Sequence, residues 1–342
     1  MKLLILTQAV DSRDPVLGFF HRWIEEFAKR CDSVHVVCLK EGKHDLPPNV
    51  TVHSLGKESG RSRFKYLWRF FSTIWRLRGE YDAVFVHMNP EYVVLGGILW
   101  RLMGTRVFLW RNHYQGGLLT DLAAPLCRGV FYTSRYSYTA KFRHAMQMPV
   151  GVDLAAFRPD AAALRTPRSI LSLGRISPSK RVDVLLEALG MLHERGIAFT
   201  ADIYGSPLPQ DEAYYAGLKD QAARLGLDTV RFHPGPKNAD TPAIYASHDI
   251  FVNASRSGMY DKTIFEAAAS GCIVLASSAD YAEHADARCI FADGDPRALA
   301  RSLEAALSLS SADGELLRAR NIALAAEHSL PALAERLVHS LI

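Results

Sequence analysis

The sequence predicts an α/β protein of two doubly wound domains in tandem, and three observations predict it. Short apolar runs rich in β-branched residues alternate with helical patterns along the chain, as in a parallel sheet covered on both faces. The alternation pauses near residue 154 and restarts at 169. The length of 342 residues is generous for one such domain and comfortable for two.

In the first half the expected strands are 2–7, 34–39, 50–55, 82–88, 106–111 and 130–134. Helical patterns cover 16–30, 63–78, 91–103 and 118–126. In the second half the strands are 169–174, 199–204, 230–233, 250–254, 272–277 and 289–292, with helices at 181–194, 211–225, 241–247, 262–270 and 296–307. The segment 154–168, with Pro159 and Pro167 around an alanine run, reads as a linker. The domains are therefore 1–153 and 169–328, followed by a C-terminal helix over 329–342.

Composition narrows the class. Hydrophobic residues make up 49% and charged residues 22%, as in a soluble globular protein. The longest stretch free of Asp, Glu, Lys and Arg is 267–279, short of the roughly 20 residues a spanning helix needs. The N-terminal apolar run is only Leu3–Leu6, so no signal peptide is read and the cytoplasm is expected. Cys31, Cys38, Cys127, Cys272 and Cys289 show no metal-ligand spacing and read as reduced core thiols. The net charge of +4 is uneven: within 57–79, Lys57, Arg61, Arg63, Lys65, Arg69, Arg76 and Arg78 face one acid, Glu58. One basic patch points to an anionic surface, and nucleic acid is not expected as a partner.

In doubly wound sheets ligands bind at the carboxyl ends of strands, beside helix N-termini. Gly174 follows the first strand of the second domain, and Arg175 and Lys180 bracket the loop that opens the next helix. A guanidinium, an ammonium and a helix N-terminus suit a diphosphate. In isolation, such a loop is more often only a solvated basic turn. A second cluster, Ser255 to Thr263, leaves a strand and enters a helix that carries Glu266. There a carboxylate can accept both hydroxyls of a ribose, while the first helical amides face phosphate. A lone early glutamate otherwise compensates the helix dipole.

In order, GVDLAAF (151–157), LGRISPSKRVDVLLEAL (173–189), DIYGSP (202–207), VRFHPG (230–235) and IFEAAASGCIVLAS (264–277) resemble the retaining glycosyltransferases of the GT-B fold, family-four group (glycosyl transferases group 1). The resemblance spans nearly the whole chain. It implies two Rossmann-like domains facing a cleft, the first on the acceptor side and the second holding a UDP- or GDP-linked sugar, with the C-terminal helix crossing back to the first domain. It implies Arg175 and Lys180 as diphosphate ligands and catalytic groups, and Glu266 as the ribose ligand. The backbone of Lys262, Thr263 and Ile264 would approach the phosphates or sugar. One departure concerns the glutamate usual eight residues before Glu266, which is Gly258 here; Asp261 or Lys262 is expected to take over part of the sugar contact.

In the first domain the long loop after the first strand ends at Pro15 and Gly18, where Gly18 allows close backbone approach, and the resemblance implies that this turn lies against the donor phosphate or the acceptor. His113 follows the strand at 106–111, and the resemblance makes it a contact of the donor sugar. No metal site is read. Asp293-Gly294-Asp295 formally gives D-x-D, but Asp295-Pro296 reads as a helix cap.

The segment 61–78, RSRFKYLWRFFSTIWRLR, places Phe64, Leu67, Trp68, Phe71 and Trp75 at three- and four-residue steps, the stripe expected to pack on the sheet, with Tyr66, Phe70 and Ile74 left elsewhere. Two uses stay open: a core helix with a solvated basic rim, or a helix lying on the anionic inner face of a membrane, where a lipid-linked or other glycan acceptor would wait. For the whole chain, sugar transfer stands beside two alternatives, a nucleotide-sugar epimerase of the same fold and a nucleotide-sugar-binding scaffold without activity. A nicotinamide-dependent oxidoreductase is disfavoured because no G-x-G-x-x-G follows either domain's first strand.

Overall fold

The computed structural model describes residues 1–14, 16–60, 62–160, 163–257 and 261–342. The chain divides into two compact units, Met1–Pro149 with Leu330–Ile342, and Val150–Ser329. The first unit holds β1 (Lys2–Val10), α1 (Phe20–Ala28), β2 (Ser33–Glu41), β3 (Val50–Ser54), α2 (Arg63–Arg76), β4 (Ala83–His87), α3 (Pro90–Leu102), β5 (Arg106–Trp110), α4 (Leu118–Ala123), β6 (Gly129–Tyr132) and β7 (Ala145–Gln147). The second holds β8 (Thr166–Leu173), α5 (Val182–Glu194), β9 (Thr200–Tyr204), α6 (Glu212–Arg224), β10 (Val230–His233), α7 (Thr241–Ala246), β11 (His248–Asn253), α8 (Lys262–Ala269), β12 (Ile273–Ala276), α9 (Ala279–Ala282), α10 (Pro296–Leu307) and α11 (Ser311–Glu327). The last helix, α12 (Leu330–Leu341), belongs to the first unit, where it packs on α1.

Both sheets are parallel. The first has the order β3-β2-β1-β4-β5-β6-β7 and the second β10-β9-β8-β11-β12. The strand order reverses direction between β1 and β4 in one and between β8 and β11 in the other, which are the places where a doubly wound sheet opens a crevice. Alternation along the strands of the first unit separates two cores. Leu3, Ile5 and Phe85 meet Phe20, Trp23 and Phe27 of α1 and Leu333 and Leu337 of α12 on one face. Leu4, Leu6, Val84 and Val86 meet Phe70, Tyr92, Trp100 and Ala123 on the other, so α2, α3 and α4 share that face.

Several expectations are corrected. The run 289–292 is not a strand: a short 3₁₀ turn at Ala287–Cys289 leads to a single bridge between Ile290 and Ala276. The segment 154–168 is not a connector between units, since Val150–Ser329 is one unit and β8 begins at Thr166. Arg165 anchors it by donating to the carbonyls of His248, Gly271 and Ser270. The first helix begins at Phe20, after a turn in which Asp14 Oδ1 accepts from Val16 and Leu17. A short edge strand, β7, went unread because its run is broken by charged and polar residues. On α2 the expected packing is reversed. Phe70 and Ile74 are buried against Tyr92 and Trp100, while Phe64, Leu67, Trp68, Phe71 and Trp75 are exposed. Two adjacent apolar rows on one helix satisfy the same periodicity, and only the neighbouring helix decides between them. Arg61 and Pro15 lie outside the described residues. Among the described residues no helix is long and apolar enough to cross a membrane.

Two local features set the second crevice. Helix α8 ends in a left-handed Gly271 (φ 81°), with Gly271 N–H donating to Ala268 O and Cys272 N–H to Ala267 O. Arg165 and Arg318 cap the carbonyls beyond it. At the other end of the sheet, Gly174 (φ 155°) turns the chain out of β8, and its carbonyl lies where a Cβ on Gly205 would fall, 2.0 Å away. Gly205→Ala is therefore expected to lower stability by about 1–3 kcal/mol. Gly217, exposed within α6 with open space beside it, is expected to gain about 0.5–1 kcal/mol as Ala. Thermal melts of the two variants check this, and a parallel response of both would contradict it.

Candidate functional site

At the β8/β11 crossing point, side chains from two loops meet. The loop after β8 runs through a 3₁₀ turn at Pro178–Lys180, and Arg181, left-handed at φ 53°, turns it into α5. The loop after β11 brings Asp261 to the start of α8. Lys180 Nζ lies 2.5 Å from Asp261 Oδ2. The same carboxylate accepts from Ser255 Oγ at 2.7 Å and from Asn253 Nδ2 at 3.0 Å. Burial pushes the Asp261 carboxyl up, but the Lys180 ammonium and the hydrogen bonds from Asn253, Lys180 and Ser255 outweigh it, holding the group below the usual carboxylate range. Asp261 occupies the N-cap position of α8 yet gives its side chain to this cluster and none of it to the helix amides.

Along α8 the expected residues fall into place one turn apart. Thr263 Oγ1 accepts from Asn253 Nδ2 at 3.2 Å. Lys262 Nζ lies 3.3 Å from Glu266 Oε1, and the hydroxyl of the fully buried Tyr245 approaches Glu266 Oε2 at 3.4 Å. Glu266 is thereby held between a cation and a phenol. Arg175 stands exposed on the loop after β8 and makes no ion pair or hydrogen bond among the described residues. A crevice lined by Gly174, Arg175, Lys180, Asn253 and Ser255 opens between these elements. The structure thus brings Lys180, Asp261 and Thr263 into one hydrogen-bonded cluster, with Arg175 on its rim and Lys262 and Glu266 paired a turn further along α8. Gly258 lies outside the described residues.

Sequence reading took Ser255 only as the start of the second cluster and missed Asn253 and Tyr245. Asn253 and Ser255 carried a signal, polar residues at the end of a buried strand. Tyr245 carried none, because its role depends on α7 packing behind α8. Asp295 caps α10 through Arg297 and Ala298 N–H, which accounts for the D-x-D run, and among the described residues no cluster of His, Cys, Asp or Glu could hold a metal.

In the first unit the corresponding crossing point lies between β1 and β4. Thr7 Oγ1 and His87 Nδ1 meet there at 3.3 Å, with the His87 ring stacked on Phe20. Burial drives the His87 imidazole down to about 3, so it is neutral at physiological pH. Met88, left-handed at φ 68°, leads to Asn89, whose buried Oδ1 has no hydrogen-bond partner among the described residues. Gly18 is buried and its amide donates to Asp14 O at 2.9 Å. His113 lies beyond β5, its Nδ1 accepting from Gln115 N–H at 2.9 Å and its ring stacked on Tyr114.

The Asp261 cluster makes a pH-dependent prediction. A carboxyl whose folded value lies below its unfolded 3.8 contributes stability that is complete above that value and is lost as pH falls through the folded one. Lys180→Ala leaves a largely buried carboxylate without its cation, at a cost of about 3 kcal/mol at pH 7. The melting-temperature gap between wild type and variant is expected to narrow from pH 7 to pH 3; a gap that widens on acidification would contradict the assignment.

Comparisons with known proteins fall on both units. Residues 167–308 match the family described as glycosyl transferases group 1, and residues 14–113 match glycosyl transferase 4-like. D-inositol 3-phosphate glycosyltransferase of Salinispora tropica is 32% identical over 177 residues, covering 45% of this chain and 36% of the relative. Mannosylfructose-phosphate synthase of Agrobacterium fabrum is 31% identical over 147 residues, 39% of this chain and 32% of the relative. The chain thus spans about a third of the length of these curated relatives. Among solved structures, HepE of Anabaena with UDP and glucose superposes with a TM-score of 0.79 at 19% identity, over 100% of this chain and 99% of the other. Sucrose-phosphate synthase of Thermosynechococcus elongatus gives 0.79 at 16% identity, over 99% and 98%. These likenesses establish the fold, two parallel-sheet α/β domains of the GT-B type. One family model thus matches each unit, glycosyl transferases group 1 over 167–308 and glycosyl transferase 4-like over 14–113, on a chain with the GT-B fold.

Proposed function

We propose that this protein transfers a sugar from a nucleoside diphosphate sugar, UDP- or GDP-linked, to a hydroxyl of an acceptor, with retention of the anomeric configuration. The observation that carries the reading is the cluster at the β8/β11 crossing point: an exposed arginine and a lysine on one crevice, the lysine paired with Asp261 at the amino end of α8, and a carboxylate one helical turn further on. The family match over 167–308 supports it, as do the curated relatives, one of which is a D-inositol 3-phosphate glycosyltransferase. The complexes of HepE with UDP and with UDP-glucose support a nucleotide sugar as the second substrate.

In this reading Glu266 accepts the ribose hydroxyls and the start of α8, Lys262 and Thr263, faces the diphosphate. The bond from the anomeric carbon to the leaving phosphate oxygen breaks, and its electron pair stays with the nucleoside diphosphate. The acceptor oxygen bonds to the same face of the sugar, and its proton passes to the departing phosphate. Arg175 and Lys180 offset the charge that builds on that phosphate, which makes catalysis a matter of positioning and electrostatics. Asp261 holds Lys180 in place and reaches the sugar hydroxyls, and His113 contacts the transferred sugar. With two cations and helix amides on the diphosphate, no metal ion is required.

Incubation with UDP- and GDP-sugars and glycan or lipid-linked acceptors, read by proton NMR of the anomeric signal, tests the reading. An α-linked donor is expected to give an α-linked product at a rate unchanged by EDTA. Arg175→Ala is expected to cut kcat at least a hundredfold, and His113→Ala to cut kcat more than it shifts the donor KM. A β-linked product would rule out retention, and a rate abolished by EDTA would rule out metal independence.

A further inference from the structure

The exposed apolar surface of this chain collects on one side of the first unit. Among the described residues, eleven of the sixteen exposed large hydrophobic side chains lie on α2, α3 and α4. On α2, Phe64, Trp68 and Trp75 are 88%, 69% and 53% exposed, with Leu67 and Phe71 completing the stripe. On α3, Leu95, Ile98 and Leu102 repeat at three and four residues, Leu102 being 82% exposed. Leu118, Leu119 and Leu122 continue the surface on α4. The three helices cover the same sheet face: Phe70 of α2 packs on Tyr92 and Trp100 of α3, and α4 packs on α3. Isolated surface leucines are ordinary, but eleven exposed apolar side chains on three neighbouring helices call for an occupant.

The charges select that occupant. Arg63, Lys65, Arg76 and Arg78 make no ion pair among the described residues, and the Arg78 guanidinium lies 4.6 Å from the Trp75 ring. Of the two acids on these helices, Glu91 and Asp121, the second is paired with Lys141. Exposed tryptophans flanked by unpaired cations match the boundary of an anionic lipid surface, where rings sit at headgroup depth and cations meet the phosphates. A second copy seated on this face by two-fold symmetry would bring both sets of unpaired cations together. A groove of about 360 Å³ starts at Arg63, Tyr66 and Leu67 of α2 and reaches Gln8 and Asn89 at the β1/β4 crossing point.

We propose that the α2–α3–α4 face docks on an anionic membrane surface and that the groove admits the apolar anchor of a lipid-linked acceptor to the strand ends of the first unit. The acceptor clause rests on the transferase reading; the docking does not. Flotation of the full chain with vesicles, without nucleotide or acceptor, therefore tests the docking separately. Wild type is expected to float with phosphatidylcholine containing 30% phosphatidylglycerol and to stay behind with phosphatidylcholine alone. Arg76→Gln with Arg78→Gln should weaken binding about fivefold for each arginine removed. Trp68→Ser with Trp75→Ser, and separately Ile98→Ser with Leu102→Ser, should each abolish flotation, and melting curves should confirm that these surface variants stay folded. Three results would overturn the proposal: no flotation of wild type, flotation indifferent to the α3 pair, or a dimer by light scattering that the same apolar variants dissolve while vesicle binding is absent.

Discussion

The contact between Lys180 and Asp261 is what the second unit's site depends on. It joins the loop leaving β8 to the first residue before α8, across the one place in the sheet where the strand order reverses. Each side of that contact is fixed elsewhere. Gly174 and Gly205 allow the β8 loop to leave its strand at close quarters with the next. The far end of α8 is closed by Gly271 and by two arginines that bind its terminal carbonyls. With the turn after β8 and the far end of α8 both fixed, the pair holds Lys180 beside the amino end of α8, and in the proposed reading little reorganisation of that cation is left to the moment of binding.

How much of this was legible in the sequence depended on the range of the interactions involved. Parallel strands such as Val230–His233 and the capped helix Pro296–Leu307 were readable to the residue, because hydrophobic pattern and Asx-Pro capping are local. Arg175, Lys180, Asp261 and Glu266 were singled out because strand ends are where such sheets bind ligands and because the surrounding motifs resemble a family, and the structure places them along the β8 loop and the start of α8. The pairing of Lys180 with Asp261 was not, since the two lie 81 positions apart and only the sheet brings them together. Tyr245 behind Glu266 was hidden for the same reason. The run 289–292 failed as a strand because an apolar segment can be buried under a sheet edge with a single bridge.

The reversal on α2 is the most instructive error. Helical spacing found two apolar rows and assigned the richer one to the core. The core took the row of Phe70 and Ile74 instead, with the Phe70 ring stacked on Tyr92 and edge-on to Trp100 of α3. The richer row was left outside, beside cations that make no ion pair among the described residues. The two units thus divide the chemistry. One presents apolar and basic surface together with a groove to its strand ends, and the other gathers polar and charged groups on a crevice.

The central claim is that the β8/β11 crevice binds a nucleoside diphosphate, and titration calorimetry of the full chain with UDP and with GDP tests it most directly. One of the two is expected to bind at micromolar affinity, with loss of at least tenfold on Arg175→Ala, in keeping with a charge-assisted contact to phosphate worth about 1.5–3 kcal/mol. Absence of binding by either nucleotide, or binding of equal strength in the variant, would contradict the account.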